Sequence, residues 1–151
     1  MRVLKFGGSS LANAKRFMQV AEIVGKASLE SALAVVVSAP QGVTNHLVAM
    51  AENITDENKL QQDLQKFTSA IENIVDELEI AQTGFDAHAV KAVLSHWREQ
   101  LSRYLQGATM LTYCPDHIRA IIISIGERLS VAILHALFKA ENKNVSLIEP
   151  E

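Results

Sequence analysis

Ala32-Leu33-Ala34-Val35-Val36-Val37-Ser38 is a continuous apolar, β-branched run closed by Ala39-Pro40-Gln41-Gly42. Such a run fits a strand buried on both faces, as in a parallel sheet. Upstream, Arg2 to Phe6 is a second short apolar segment that stops at Gly7-Gly8, so it reads as a strand ending in a tight turn. Between the two lie Asn13, a helix cap, and Phe17, Val20, Ala21 and Val24 at helical spacing. Strand, helix, strand with a long crossover is a βαβ unit, whose hand is right in nearly all known cases. The predicted fold class is therefore α/β, with a mostly parallel sheet and flanking helices.

The rest of the chain reads outward from that unit. A helix is predicted from near Thr44 through Leu47, Val48 and Met50-Ala51. Leu60, Leu64, Phe67, Ile71, Ile74 and Leu78 step by alternating fours and threes, one apolar stripe. Val90, Val93, Leu94, Trp97, Leu101 and Tyr104 make another, capped by Asp86. Joined near Gln82-Thr83-Gly84, these two helices predict an antiparallel hairpin, a helical excursion over residues 56–108. Ile121-Ile122-Ile123-Ser124-Ile125 suits strand or helix; Ile118, Ile121, Ile122 and Ile125 favour helix, continuing through Leu129, Ile133 and Leu137. Asn142 to Asn144 end it, and Val145 to Ile148 read as a third strand.

Composition narrows the function classes. The chain has 151 residues, about one domain. It is 48% hydrophobic and 21% charged, which excludes disorder, and its net charge of −3 is not that of a nucleic-acid binder. The single cysteine, Cys114, cannot staple a secreted scaffold. No uninterrupted apolar run has the length of a membrane span, and the N-terminus lacks a signal-peptide h-region, so a cytoplasmic address is expected. The charge is uneven: residues 1–50 hold five basic and two acidic side chains, residues 56–80 two basic and seven acidic.

Three segments could carry chemistry. In Lys5-Phe6-Gly7-Gly8-Ser9-Ser10 a strand gives way to glycines, hydroxyls and a helix start, with a lysine alongside. Exposed N–H groups, a helix N-terminus and an ammonium suit a phosphate or a transferring phosphoryl group. The pattern is neither a Walker loop nor GxGxxG, and a plain Gly-Gly turn remains open. Ser38-Ala39-Pro40 with Val43-Thr44-Asn45 lies at the second strand end, on the edge where open α/β sheets bind ligands; Thr44 is either a helix cap or a site hydroxyl. Gly126-Glu127-Arg128-Leu129-Ser130 interrupts an apolar helix. Glu127 there could hold a substrate ammonium or simply pair with Arg128 at the surface. His46, His88, His96, His117 and His135 show no metal spacing, no metal site is assigned, and no GxSxG elbow is present.

Val3-Leu4-Lys5-Phe6-Gly7-Gly8-Ser9-Ser10-Leu11 resembles the N-terminal signature of the aspartokinases, Ser38-Ala39-Pro40 with Val43-Thr44-Asn45 their second loop, and Gly126-Glu127-Arg128 with Ser130 their third. Thr44 to Met50 and Cys114-Pro115-Asp116 further resemble the branch fused to homoserine dehydrogenase. The resemblance covers essentially the whole chain. It implies the N-terminal part of an amino-acid-kinase fold. The implied activity is transfer of the ATP γ-phosphoryl group to the β-carboxylate of L-aspartate with Mg²⁺, the first step towards threonine, methionine and lysine. By the same resemblance Lys5 is catalytic and, with Gly7, Gly8 and Ser9, binds the nucleotide phosphates, while Ser38, Thr44 and Glu127 bind aspartate. Ser9 stands where threonine is frequent. The family's catalytic domain is about twice as long as this chain, so residues 1–151 are expected to be its N-terminal portion and inactive alone, with NAD(P) belonging only to the dehydrogenase part. A homo-oligomer, without nucleic acid or membrane partners, is the expected assembly. A non-catalytic module with this fold, or a kinase of another small carboxylate or carbamate, are the alternatives.

Overall fold

A computed structural model describes residues 1–148. In chain order it contains β1 (Arg2–Phe6), a 3₁₀ turn (Gly8–Leu11), α1 (Ala14–Ser28), β2 (Leu33–Val37), α2 (Val43–Glu52), α3 (Glu57–Ala81), α4 (Ala87–Leu111) and α5 (Asp116–Ala140). β1 and β2 pair in parallel, Leu4 beside Val35 and Phe6 beside Val37. The ladder continues one step past the strands, where Ser38 N–H donates to the Phe6 carbonyl at 3.0 Å. The segments after β1 and β2 therefore leave the sheet side by side.

Among the described residues the sheet is covered on one face only, so the second face of β2, which its residue types suit to burial, is open here. Leu4, Phe6, Leu33, Val35 and Val37 pack on the core. The alternate positions point the other way, and Val3 and Val36 are 63% and 49% exposed. The β-branched run specified a strand, but burial of its second face depends on a layer that no local pattern encodes. The third predicted strand, Val145 to Ile148, is also absent: these residues are irregular. Val145 packs on the core, while Leu147 and Ile148 are exposed and pair with no strand.

The helices start where side chains satisfy their free N–H groups. Asn13 accepts from Arg16 N–H at 3.0 Å, Asp56 from Lys59 N–H at 3.1 Å and Asp86 from Ala89 N–H at 2.9 Å. The α3–α4 stripes interlock as an antiparallel hairpin that runs to Leu111. Asp76 late in α3 pairs with Lys91 early in α4 at 2.6 Å. Thr109 late in α4 donates to the Ile54 carbonyl just before α3 at 2.9 Å. The ambiguous isoleucine run is helical, inside α5.

α5 is the central helix. An 18-residue window of it has a mean hydropathy of 1.7, enough by length and composition to cross a membrane, and 56% of that window is buried inside the fold. It touches α1, α2, α4 and β2. Its start is pinned to the end of α2 by Arg119 and Glu52 at 3.0 Å. Its end is clasped to α1 by Lys143, which donates to the Ala21 carbonyl at 3.2 Å, pairs with Glu141 and sits over the Phe138 ring.

Phe67 is fully buried, whereas Ile80 on the same helix is 89% exposed. Phe67→Ala should lower unfolding free energy by about 3–5 kcal/mol, and Ile80→Ala should change it by less than about 0.5 kcal/mol. Urea titrations of the two variants check this; equal midpoints would remove Phe67 from the core.

Candidate active site

Three segments distant in sequence meet at Ala39, which is 4% exposed. A Cβ on Gly8 would stand 3.0 Å from the Ala39 carbonyl oxygen and 3.6 Å from the Gln41 backbone. A Cβ on Gly126 would stand 2.6 Å from the Ala39 Cβ and 3.1 Å from Val43 Cγ1. At Gly126 a side chain would collide with Ala39, and at Gly8 the Ala39 backbone would have to give by a few tenths of an ångström. Leu47, one turn along α2, also abuts Gly126. Contacts Glu52–Arg119 and Leu47–Gly126 run in opposite senses along the two helices, so α2 and α5 are antiparallel. That direction carries Gly126 and Glu127 to the first turn of α2.

The same corner gathers free backbone donors. Gly7 precedes the 3₁₀ turn without a side-chain cap, and nothing stands within 4 Å of the position its Cβ would take. Gly42 precedes α2 in the left-handed conformation, φ 84, again with no side-chain cap. Val43 N–H turns back to the Pro40 carbonyl at 3.0 Å. Two uncapped helix starts at the carboxyl ends of neighbouring parallel strands form an electropositive ledge suited to an anion.

The proposed side chains differ in exposure and in the face they occupy. Lys5 precedes the last residue of β1, beside Val36 on the uncovered face, and is exposed. Ser9 is exposed in the 3₁₀ turn, and Ser38 is half-buried at the end of β2. Thr44 is half-buried inside α2, and since Gly42 holds the cap position the helix-cap reading of Thr44 is corrected. Glu127 is exposed, and the surface pair with Arg128 is not formed. Arg128 instead lies over the Trp97 ring, 5.0 Å from its centroid. Among the described residues neither Lys5 nor Glu127 has an ion-pair partner. Ser130 is fully buried, and its Oγ has no hydrogen-bond partner among the described residues.

Sequence reasoning missed two pairings near the ledge. Trp97 reads as one more stripe residue, yet it receives Arg128. His46 Nδ1 lies 3.0 Å from Asp63 Oδ1, joining α2 to α3 two residues beyond Thr44. Neither had a local signal, because each partner lies on another helix. Among the described residues no three His, Cys, Asp or Glu side chains converge. Burial raises the Cys114 thiol pKa against the opposing pull of Arg119, so the thiol stays protonated near neutrality. Burial, with Lys139 nearby, lowers the His135 pKa.

Two grooves lie elsewhere, along the α3–α4 hairpin. One of about 590 Å³ is lined by polar side chains including Gln61, Gln65, Thr68, Glu72 and Arg98. The other, about 640 Å³, is lined by Ile54, Leu60, Leu64 and Leu105 among others. Neither includes a residue of the three segments. The grooves and the three chemistry-bearing segments therefore lie on different parts of the molecule.

Comparison with known proteins follows the same lines. The amino acid kinase family model matches residues 1–151. The chain is 36% identical over 150 residues, 99% of its length, to a bifunctional aspartokinase/homoserine dehydrogenase of Buchnera aphidicola, and it covers 18% of that protein. It is 35% identical over 150 residues to the bifunctional enzyme of Haemophilus influenzae, again covering 18%. Its fold is similar to that of E. coli aspartokinase III in complex with aspartate and ADP (R-state), with a TM-score of 0.78 at 23% identity. That alignment covers 94% of this chain and 29% of the other. The T-state complex with lysine and aspartate aligns equally well, at 95% and 30%. The chain thus spans less than a fifth of these curated relatives and under a third of the solved chains.

The Ala39 contact makes a stability prediction. Gly126→Ala should lower unfolding free energy by about 1–3 kcal/mol through overpacking, and adding Ala39→Gly should recover part of the loss. Gly107, inside α4 with nothing within 4 Å, is the control: Gly107→Ala should stabilise by about 0.5–1 kcal/mol. Thermal unfolding of the variants decides it, and equal effects at 107 and 126 would show that α5 does not press on Ala39.

Proposed function

This chain belongs to the amino acid kinase family, and we propose that it supplies the phosphate-cradling and aspartate-binding part of an aspartokinase of the kind fused to homoserine dehydrogenase. The observation that carries the reading is the close packing at Ala39. It holds the Gly7-Gly8 loop, the first turn of α2 and the Gly126-Glu127 corner on one sheet edge. A small guest with anionic and cationic groups, beside a phosphate, needs those three in one place.

The reaction fits what the residues offer. The aspartate β-carboxylate attacks the γ-phosphorus of ATP, an O–P bond forms, and the bond to the ADP oxygen breaks. The substrate itself is the nucleophile, so the protein contributes position and charge. Lys5 offsets negative charge on the transferring group. Gly7, Gly8 and Ser9 give N–H and hydroxyl donors to phosphate oxygens, and the open space at Gly7 lets a phosphate approach the backbone. Thr44, with Ser38, offers hydroxyls to aspartate, and Glu127 takes its ammonium. The ledge is chemically suited to the phosphates of ATP; Mg²⁺ supplies charge neutralisation when it accompanies the nucleotide. Biosynthesis of threonine from aspartate, in the cytoplasm and in a homo-oligomer, is the setting proposed for this activity. Residues 1–151 cover 18% of the bifunctional relatives and 29% of the solved aspartokinase chain, and we infer that they do not complete the reaction alone.

The experiment is steady-state kinetics in the complete enzyme bearing these residues. Lys5→Ala should lower kcat by about 10²–10³, the scale for losing one transition-state stabiliser; an unchanged kcat removes Lys5 from the mechanism. Glu127→Ala should weaken aspartate binding by about 1.5–3 kcal/mol, the range for a charge-assisted hydrogen bond. A rise in ATP KM with aspartate KM unmoved would overturn the role of Glu127.

A further inference from the structure

Arg128 follows Glu127 on α5, and its only described anchor is the indole face of Trp97 on α4, 5.0 Å away. Arg128 makes no ion pair among the described residues. The Trp97 ring is in turn met edge-on by His96, at 5.2 Å and 79°. Successive residues of an α-helix point about 100° apart. Gly126, Glu127 and Arg128 therefore face three directions, and the outer two are fixed. Gly126 is pressed against Ala39, Val43 and Leu47, and Arg128 is stacked on Trp97. A roll of α5 that relieves one of these contacts breaks the other. Glu127 lies between them, exposed and unpaired, with its direction set by its neighbours.

We propose that Trp97 is a positioning residue for Glu127, acting through Arg128. The α3–α4 hairpin contributes nothing to the ledge itself, yet through this contact it sets the orientation of the carboxylate that receives the substrate ammonium. The inference rests on the reading of Glu127 as the aspartate-ammonium partner. It adds that the hairpin is mechanically coupled to aspartate affinity and not to nucleotide affinity, since the Gly7-Gly8 loop touches Ala39 from the other side.

Trp97 is the only tryptophan of the 151 residues, so in this chain its fluorescence reports that ring's surroundings, and a change on altering Arg128 with His96 intact reads the contact. Arg128→Met should shift or rescale the emission and Arg128→Lys should largely preserve it; identical emission in wild type and Arg128→Met would overturn the proposal. In the complete enzyme bearing these residues, Trp97→Leu should raise aspartate KM by about two- to five-fold, the scale of one cation–π contact, with kcat and ATP KM unchanged. Trp97→Phe, which keeps a ring face, should restore most of the affinity. An unmoved aspartate KM in Trp97→Leu overturns the coupling, and so does a joint change of kcat and both KM values that Phe does not rescue. Glu127→Gln separates the two layers. If it raises aspartate KM while Trp97→Leu does not, the coupling alone falls. If Glu127→Gln leaves aspartate KM unmoved, or the wild-type enzyme phosphorylates no aspartate, the reading beneath it falls.

Discussion

One small residue organises the edge of this molecule where the strands end. Ala39 sits just beyond β2, and two glycines from opposite ends of the chain close on it, Gly8 against its carbonyl and Gly126 against its Cβ. Interiors are packed near crystal density, so a contact this close has little slack. A larger residue at any of the three positions would wedge apart the loop after β1, the start of α2 or the middle of α5. The meeting of the two uncapped helix starts with the Gly126 turn of α5 is a consequence of that packing.

Much of the fold could be read along the chain because local physics specifies it. The bounds of β1, the caps at Asn13 and Asp86, and the stripe from Leu60 to Leu78 each need information from only a few neighbours. The isoleucine run resolved to helix for the same reason, its 3-1-3 spacing extending into Leu129 and Ile133. The failures share the opposite property. Val145 to Ile148 has strand composition, but a strand exists only beside another. Val36 has the residue type of a doubly buried strand, and the cover on its second face is not a local quantity. Asp56, which caps α3, was the one local signal passed over.

The site divides in the same way. Its three segments were legible because each is a break in pattern: glycines after a strand, Pro40 after a valine run, a glycine and charges inside an apolar helix. The first two converge by the parallel topology, which places successive strand ends on one edge; the third joins them because α5 runs antiparallel to α2, which no local pattern encodes. The partners of their side chains were not legible. Glu127 and Arg128 look like a surface pair, yet adjacent helix positions do not face each other, and Arg128 finds its partner on a helix some thirty residues earlier in the chain. Thr44 looks like a cap, yet Gly42 adopts the left-handed turn that starts α2 first.

α5 shows why hydropathy alone misleads in such a fold. Its apolar stretch matches a membrane span in length and mean hydropathy, but that character reflects how many elements it serves, with α1, α2, α4 and β2 all packed around it. A helix packed by several neighbours is apolar over much of its circumference. The polar residues it retains are therefore informative. Ser130 is small enough to be buried, Arg128 is drawn out to an aromatic face, and Glu127 reaches solvent beside the electropositive ledge. An exposed carboxylate with no ion-pair partner among the described residues adds little to the stability of the fold, so packing alone does not account for the place of Glu127 on this helix.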